Sequence, residues 1–410
     1  MGPDQVRLQA DAADPPSRAR AFRTEGPDFS VISERELQFA RRVPPGACVA
    51  VAMSGGVDSS VAAALCVAAG ITTLGVTMRL WGSEEMERGE GGCCSLDAVE
   101  DARRVCARLG IPHYVLNLRD HFEQTVIGDF LAEYRVGRTP NPCIRCNETI
   151  KFKELLRRVS AVSATYVATG HYARIAVTED GELELQRGLD RRKDQSYTLY
   201  RCDQAVLART LLPLGELEKP RVRQLAQELG LAVARKPDSQ DLCFVGGRDH
   251  RLLLERELAG QFAPGPVVDI SGERVGTHRG IPFYTVGQRH GLGGDNNSTR
   301  AEPRYVVRLD PERNLVVVGP RRALEVRSCQ LTRCSYPAAS SRLEMEGSAQ
   351  ARAHAAPEAA IWRSGPAGAA EVEFRRPQIG IAPGQSLVLY DGDRVVAGGE
   401  VAAVVREGFA

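Results

Sequence analysis

No apolar run in the chain approaches the ~18 residues that a membrane-crossing helix needs, so no helical span is expected. Residues 1–45 hold no apolar segment of a secretory signal. They also carry Asp4, Asp11, Asp14, Glu25, Asp28, Glu34 and Glu36 among their arginines, unlike an acid-poor transit peptide. The expected location is the cytoplasm, with no membrane attachment. An excess of charge of one sign is missing too: 53 Lys and Arg against 52 Asp and Glu leave a net charge of +1. A nucleic-acid partner must then be held by a local basic patch rather than by overall attraction. No long internal repeat is visible. The eleven cysteines lie dispersed through a large chain without an export signal, which argues against a disulfide framework and for small buried thiols.

What is present fits an ordinary globular protein: 410 residues, 43% hydrophobic and 26% charged. At ~150 residues per domain this length suggests two or three domains. The most informative stretch is Ala47-Cys48-Val49-Ala50-Val51-Ala52-Met53-Ser54-Gly55-Gly56-Val57-Asp58-Ser59-Ser60, followed by Val61-Ala62-Ala63-Ala64-Leu65. A continuous small-apolar run reads as a strand buried on both faces, and the alanine-rich segment as a helix. Ser54 to Ser60 is then a tight strand-to-helix turn. Gly55 and Gly56 let the backbone approach a ligand, and Ser59, Ser60 and the first helical N–H groups can donate to phosphate oxygens. No lysine follows the glycines, so this is not the GxxxxGK[ST] loop.

Further along, strands are expected at Ile71 to Met78, Ile111 to Leu118 and Thr165 to Thr169. Helices are expected at Leu96 to Leu109 after a Gly82–Gly92 loop with Ser95 and Asp97 as caps, and at Phe122 to Tyr134, Ile150 to Val159, Asp203 to Arg209 and Glu218 to Leu229. This alternation is that of a doubly wound parallel sheet. Ile175 to Gln186, turning at Glu179-Asp180-Gly181, reads as a hairpin added to that sheet. After Arg251 helical periodicity fades into short strands punctuated by Gly and Pro. The expected organisation is a partly disordered extension (1–45), an α/β catalytic domain (46–250), a small central domain (251–322) and a C-terminal β-barrel (323–410).

Two cysteine loops follow the glycine turn. In Gly137-Arg138-Thr139-Pro140-Asn141-Pro142-Cys143-Ile144-Arg145-Cys146-Asn147-Glu148-Thr149-Ile150-Lys151-Phe152, two prolines stiffen a loop and Asn147 is expected to cap the next helix. Cys146 would then sit beside a helix N-terminus, where the dipole favours thiolate. Half a zinc site or an inert buried pair are alternatives, although no second CxxC or paired histidines accompany it. In Lys236-Pro237-Asp238-Ser239-Gln240-Asp241-Leu242-Cys243-Phe244-Val245-Gly246-Gly247, Cys243 taken alone reads as core packing.

Together these stretches resemble the tRNA-specific 2-thiouridylase family within the N-type ATP pyrophosphatase superfamily. Gly110-Ile111-Pro112-His113-Tyr114, Thr169-Gly170-His171-Tyr172-Ala173-Arg174, Lys193-Asp194-Gln195-Ser196-Tyr197 and Tyr284 to Gly293 extend the match through residues 47 to about 320. The resemblance implies an adenine nucleotide alpha hydrolase-like fold and ATP-dependent 2-thiolation of the wobble uridine. It implies ATP with Mg²⁺ at Ala52, Met53, Ser54, Gly55, Gly56, Val57, Asp58, Ser59, Met78 and Gly170. It further implies Cys146 as nucleophile, Cys243 as persulfide carrier, and a Cys146–Cys243 disulfide at the end of the cycle. Asn141, Pro142 and Cys143 would lie near the target base, with His171, Lys193, Asp194, Gln195 and Gln385 on tRNA. The implied partners are tRNAs with Lys, Glu and Gln acceptors and a persulfide donor such as a cysteine desulfurase or sulfur-relay protein, acting on a monomeric enzyme.

Several features depart from the family or leave its pattern open. Cys143 stands where many members have Asp, so Cys143, Cys146 and Cys243 are alternatively ligands of an iron–sulfur cluster that activates sulfide directly. His290 stands where lysine is usual, and the tRNA-contacting stretch of the last domain is traceable only to Arg352-Ala353-His354 and, better, Gln385. The local cluster Arg187, Arg191, Arg192 and Lys193 suits phosphates or a solvated hairpin tip equally. An amide-forming ATP pyrophosphatase and a non-catalytic tRNA-binding module are the alternative functions.

Overall fold

The computed structural model describes residues 26–80, 96–238, 242–245, 249–292, 303–337, 343–353 and 355–406. The Gly82–Gly92 loop, Ser95, Ser239 to Asp241, Gly246, Gly247, Gly293 and His354 lie outside them. Strands are β1 (Cys48–Ala52), β2 (Thr72–Arg79), β3 (His113–Asn117), β4 (Tyr166–Ala168), β5 (Ala173–Val177), β6 (Leu183–Arg187) and β7 (Thr210–Leu211) in the first part. They continue as β8 (Gly265–Asp269), β9 (Arg274–His278), β10 (Tyr305–Asp310), β11 (Leu315–Gly319), β12 (Glu325–Ser335), β13 (Glu344–Gln350), β14 (Glu358–Ser364), β15 (Ala370–Ile379), β16 (Ser386–Asp391) and β17 (Arg394–Val405).

The first domain is built on a parallel sheet in the order β3-β2-β1-β4-β7. Its centre, β1, pairs with β2 on one side and β4 on the other, and Val49, Ala50 and Val51 are fully buried because both sheet faces are covered. The helix Val57–Ala68 lies on one face, and its run of Ala62, Ala63 and Ala64 is fully buried. Their small side chains let the helix approach the sheet closely, so the turn before it is held from both ends. The reversal of strand order at β1/β4 puts the ends of these two strands at the crevice where open α/β sheets take ligands.

The hairpin β5–β6 forms as expected, but it does not extend the parallel sheet: Gln186 pairs with Arg394 of β17, so the hairpin joins the C-terminal sheet. Side-chain contacts decide the partner. Arg174 reaches Asp393 at 2.7 Å, and the Arg187 guanidinium lies 3.5 Å over the Tyr390 ring. Residues 26–45, expected within a loose extension, instead dock on the first domain. Val31, Leu37 and Phe39 pack on its core, Glu36 pairs with Arg221 at 2.8 Å, and Arg42 donates to the carbonyls of Leu207 and Thr210. The central unit opens with the helix His250–Glu257, where periodicity is weak in sequence, and holds the sheet β10-β11-β8-β9. The C-terminal strands run β12-β15-β14-β13-β16-β17, and a β12–β17 pairing closes them into a six-stranded barrel around the fully buried Trp362.

The barrel is fastened to the first domain beside the first cysteine loop. Thr139 N donates to Pro383 O at 2.8 Å, and the Tyr197 hydroxyl donates to Ser386 O at 2.7 Å. Gly384, at φ +88°, is required there, since a Cβ would lie 2.7 Å from Thr139 N.

Candidate active site

The Ser54 to Ser60 turn is built as its residue types predict. Gly55 has φ +68°, and an added methyl group would collide with the Ala98 carbonyl. Ser54 N donates to Ser59 Oγ at 3.2 Å, and the Ser60 hydroxyl donates to Gly56 O at 2.8 Å, which fixes the turn around the start of the helix. Val57 and Ser59 are buried and Ser54 is exposed at the mouth. Gly170, at the end of β4, comes so close to the helix start that a Cβ there would lie 2.8 Å from Ser59 N. Ala52 and Met78, half-buried at the carboxyl ends of β1 and β2, and the buried Met53 complete this edge.

An ion network not anticipated from the sequence lies behind the loop. Lys219 is buried, and its ammonium meets Asp58 Oδ1 at 2.7 Å, Asp58 Oδ2 at 2.8 Å and Asp238 Oδ1 at 2.9 Å. The Tyr172 hydroxyl also donates to Asp58, at 2.7 Å. Asp238 further receives Lys193 at 2.7 Å and Arg223 at 2.6 Å. Burial works against ionising Asp238, but hydrogen bonds from Lys193 and Lys219 outweigh it and bring its carboxyl down to about 2. One sequence signal was available: Lys219 and Pro220 open the helix Lys219–Glu228, and a cation in a first turn opposes the helix dipole unless something else holds it.

The first cysteine loop corrects the expected cap. The helix begins at Pro142, because Asn141 Oδ1 accepts from Cys143 N at 3.1 Å and Ile144 N at 3.3 Å while Pro142 occupies the first helical turn. Asn147 is therefore inside the helix, buried, with Nδ2 donating to Thr198 O at 3.1 Å. Cys143, exposed, holds the N-terminal position expected of Cys146, and Cys146 lies one turn further in, only 6% exposed. A π-helical stretch, Asn147–Glu154, follows it directly. On the second loop Cys243 is half-buried, and the ring of Phe244 is packed edge-on, 5.3 Å from Phe130 and 6.0 Å from Phe122. Cys146 belongs to the same apolar cluster, against which Cys243, Met78 and Ala52 also pack.

Burial keeps the other described cysteines as thiols. Burial pushes Cys66, Cys106, Cys329 and Cys334 up to about 12, and raises Cys48 and Cys202 as well. Among the described residues no three His, Cys, Asp or Glu side chains are grouped to hold a metal ion.

The residues expected on tRNA have local partners. Asp194 is buried and accepts from Gly188 N and Ser196 N, and Gln195 Oε1 accepts from Tyr172 N at 3.0 Å. His171 is buried against Thr169 Oγ1 at 2.8 Å, and burial, reinforced by the Lys151 charge, holds its imidazole well below the usual 6.5. Gln385 Oε1 closes its own loop by accepting from Ala382 N. In the basic cluster, Arg187 pairs with Asp194, Arg191 with Asp393 and Lys193 with Asp238, leaving exposed Arg192 as the member best placed for solvent.

Three family models match in order: a tRNA methyl transferase HUP domain over residues 47–247, its PRC-barrel domain over 253–320, and an aminomethyltransferase beta-barrel domain over 326–401. A protein of Heliobacterium modesticaldum named tRNA-specific 2-thiouridylase MnmA is 51% identical over 357 residues, covering 86% of this chain and 92% of the relative. The chain belongs to the tRNA-specific 2-thiouridylase family. A relative of the same name from Moorella thermoacetica is 49% identical, covering 87% of this chain and 99% of its own length. The NMN synthetase of Francisella tularensis, at 18% identity and TM-score 0.33 over 54% of this chain and 79% of that one, is too distant to bear on the site. Within the family the chain has the ATP-utilising first domain, and among its described residues no helix is long and apolar enough to cross a membrane.

Proposed function

We propose that this chain uses ATP to replace the C2 oxygen of the wobble uridine of tRNA by sulfur, through a protein persulfide. The observation that carries the reading is spatial. The glycine turn that ends β1 is shaped for an anion, and Ala52, Met78, Cys146 and Cys243 all contribute to the one large apolar core that joins the first domain to the rest of the chain.

The uridine O2 attacks the α-phosphorus of ATP, breaking the α–β bond and releasing pyrophosphate into the Ser54 to Ser60 turn. The turn's hydroxyls and helix N-terminus stabilise that charge. Asp58 and the Ser54 and Ser59 hydroxyls are oxygen donors suited to Mg²⁺, which when bound supplies neutralisation of the phosphates. With O2 adenylated, AMP is a good leaving group. The terminal sulfur of a Cys243 persulfide attacks C2 and AMP departs, leaving a C2–S–S–Cys243 link. The Cys146 thiolate then attacks Cys243 Sγ, freeing 2-thiouridine and forming a Cys146–Cys243 disulfide that an external dithiol reduces. Asn141, Pro142 and Cys143 stand at the target base, with His171, Lys193, Asp194, Gln195 and Gln385 toward tRNA. A persulfide-carrying protein, a cysteine desulfurase or a sulfur-relay protein, loads Cys243 of the cytoplasmic monomer, and the substrates are tRNAs with Lys, Glu and Gln acceptors.

Incubation with ATP, Mg²⁺, unmodified tRNA and a persulfide donor is expected to give 2-thiouridine by nucleoside mass spectrometry. Full thiolation by Cys146→Ser would remove the nucleophile from this scheme. Pyrophosphate release that requires a small carboxylate instead of tRNA would replace the scheme by amide formation.

A further inference from the structure

The segment Lys236 to Asp238 is pinned to the nucleotide loop at two separate points. Lys236 Nζ donates to Gly55 O at 3.0 Å and to Asp101 at 2.7 Å. Asp238 shares the buried Lys219 ammonium with Asp58, and the two Asp58 oxygens and Asp238 Oδ1 together engage all three of its N–H donors. Cys243 follows Asp238 by five residues. A buried ammonium with two carboxylates cannot change one contact without changing the other, since leaving either carboxylate uncompensated is costly. Phosphate oxygens or a cation arriving at Asp58, which is one-third exposed, must therefore redistribute Lys219 toward or away from Asp238.

We infer that Lys219 is a positioning residue that links occupancy of the nucleotide loop to the reactivity of Cys243 through Asp238. The inference rests on the proposed role of Cys243 for its meaning, but its test does not depend on turnover. The Cys243 thiol of the full-length protein is alkylated with iodoacetamide, with and without a non-hydrolysable ATP analogue and Mg²⁺, and the Cys243 peptide is followed by mass spectrometry. In the wild type the nucleotide is expected to change the alkylation rate at least about fivefold. Lys219→Met and, independently, Asp238→Asn are expected to abolish that change, while Lys219→Arg restores part of it. In steady-state thiolation Asp238→Asn lowers kcat more than it raises the KM for ATP.

A wild-type rate indifferent to nucleotide overturns the inference, as does an undiminished nucleotide effect in Asp238→Asn. If Lys219→Met loses nucleotide binding altogether while Asp238→Asn keeps the full effect, Lys219 is simply a phosphate ligand and the link is refuted. Thiolation that survives Cys243→Ser would instead remove the sulfur-carrying role of Cys243 and leave the alkylation result standing.

Discussion

The two ends of the site are held by different physics. At the nucleotide end, position comes from backbone geometry and charge: a positive-φ glycine, a helix start and a buried ammonium between two carboxylates. At the thiol end it comes from a capped helix and aromatic packing: Asn141 under Cys143, and Phe244 between Phe122 and Phe130 beside Cys243. Charge suits a site that receives a polyanion and releases part of it. Apolar packing shields an activated intermediate from water and competing hydrolysis, and does not itself favour the thiolate. If this division is right, mutations at one end should leave the other end's partial reaction intact, apart from what passes through Lys219 and Asp238.

The largest separation is expected from the thiols. Cys146→Ser or Cys243→Ser should lower 2-thiouridine yield by about 10³-fold or more while the dissociation constant for ATP changes by less than about twofold, measured by mass spectrometry and calorimetry. Asp58→Asn should do the converse. It raises the KM for ATP by about 10- to 100-fold, as expected when the loop carboxylate held by Lys219 and Tyr172 loses its charge, while Cys243 stays open to alkylation but no longer responds to nucleotide. Phe244→Ala should cost about 3 kcal/mol by denaturant unfolding and raise Cys243 alkylation with ATP affinity retained. Gly55→Ala, strained by its φ and blocked by the Ala98 carbonyl, should cost about 1–3 kcal/mol and weaken ATP binding alone.

The smallest expected effect is in pH. His171 is held neutral in the folded state, so the unfolded chain binds its proton first. Stability is full above the unfolded value of 6.5 and declines as pH falls below it. Asp238 adds stability that is complete above 3.8 and is lost as pH falls toward about 2. His171→Gln should flatten the first slope and leave the second in a denaturation series from pH 8 to 3.

Much of this architecture was legible because it is local. The strand β1, the glycine turn and the alanine-rich helix are adjacent in the chain, and each residue type states its role without distant help. Errors arose where the deciding partner is far away or where two local readings compete. The hairpin β5–β6 carries the right alternation for a strand pair, but its lateral neighbour, β17, lies in the last domain and is chosen by Asp393 and Tyr390. Asn141 and Asn147 both have cap chemistry. Pro142 reads as a stiff loop residue from its neighbours, yet it is also the favoured first residue of a helix, and that role prevails. Lys219 shows in the sequence only as a cation misplaced in a first helical turn, because its partners Asp58 and Asp238 are not adjacent to it.

Whether adenylation proceeds without the sulfur carrier is tested most directly by rapid quench of Cys243→Ser with tRNA and ATP labelled in both the α- and γ-phosphates. The account predicts a burst of pyrophosphate and accumulation of adenylated tRNA, with no 2-thiouridine. Absence of the burst, or 2-thiouridine formed without Cys243, would contradict it.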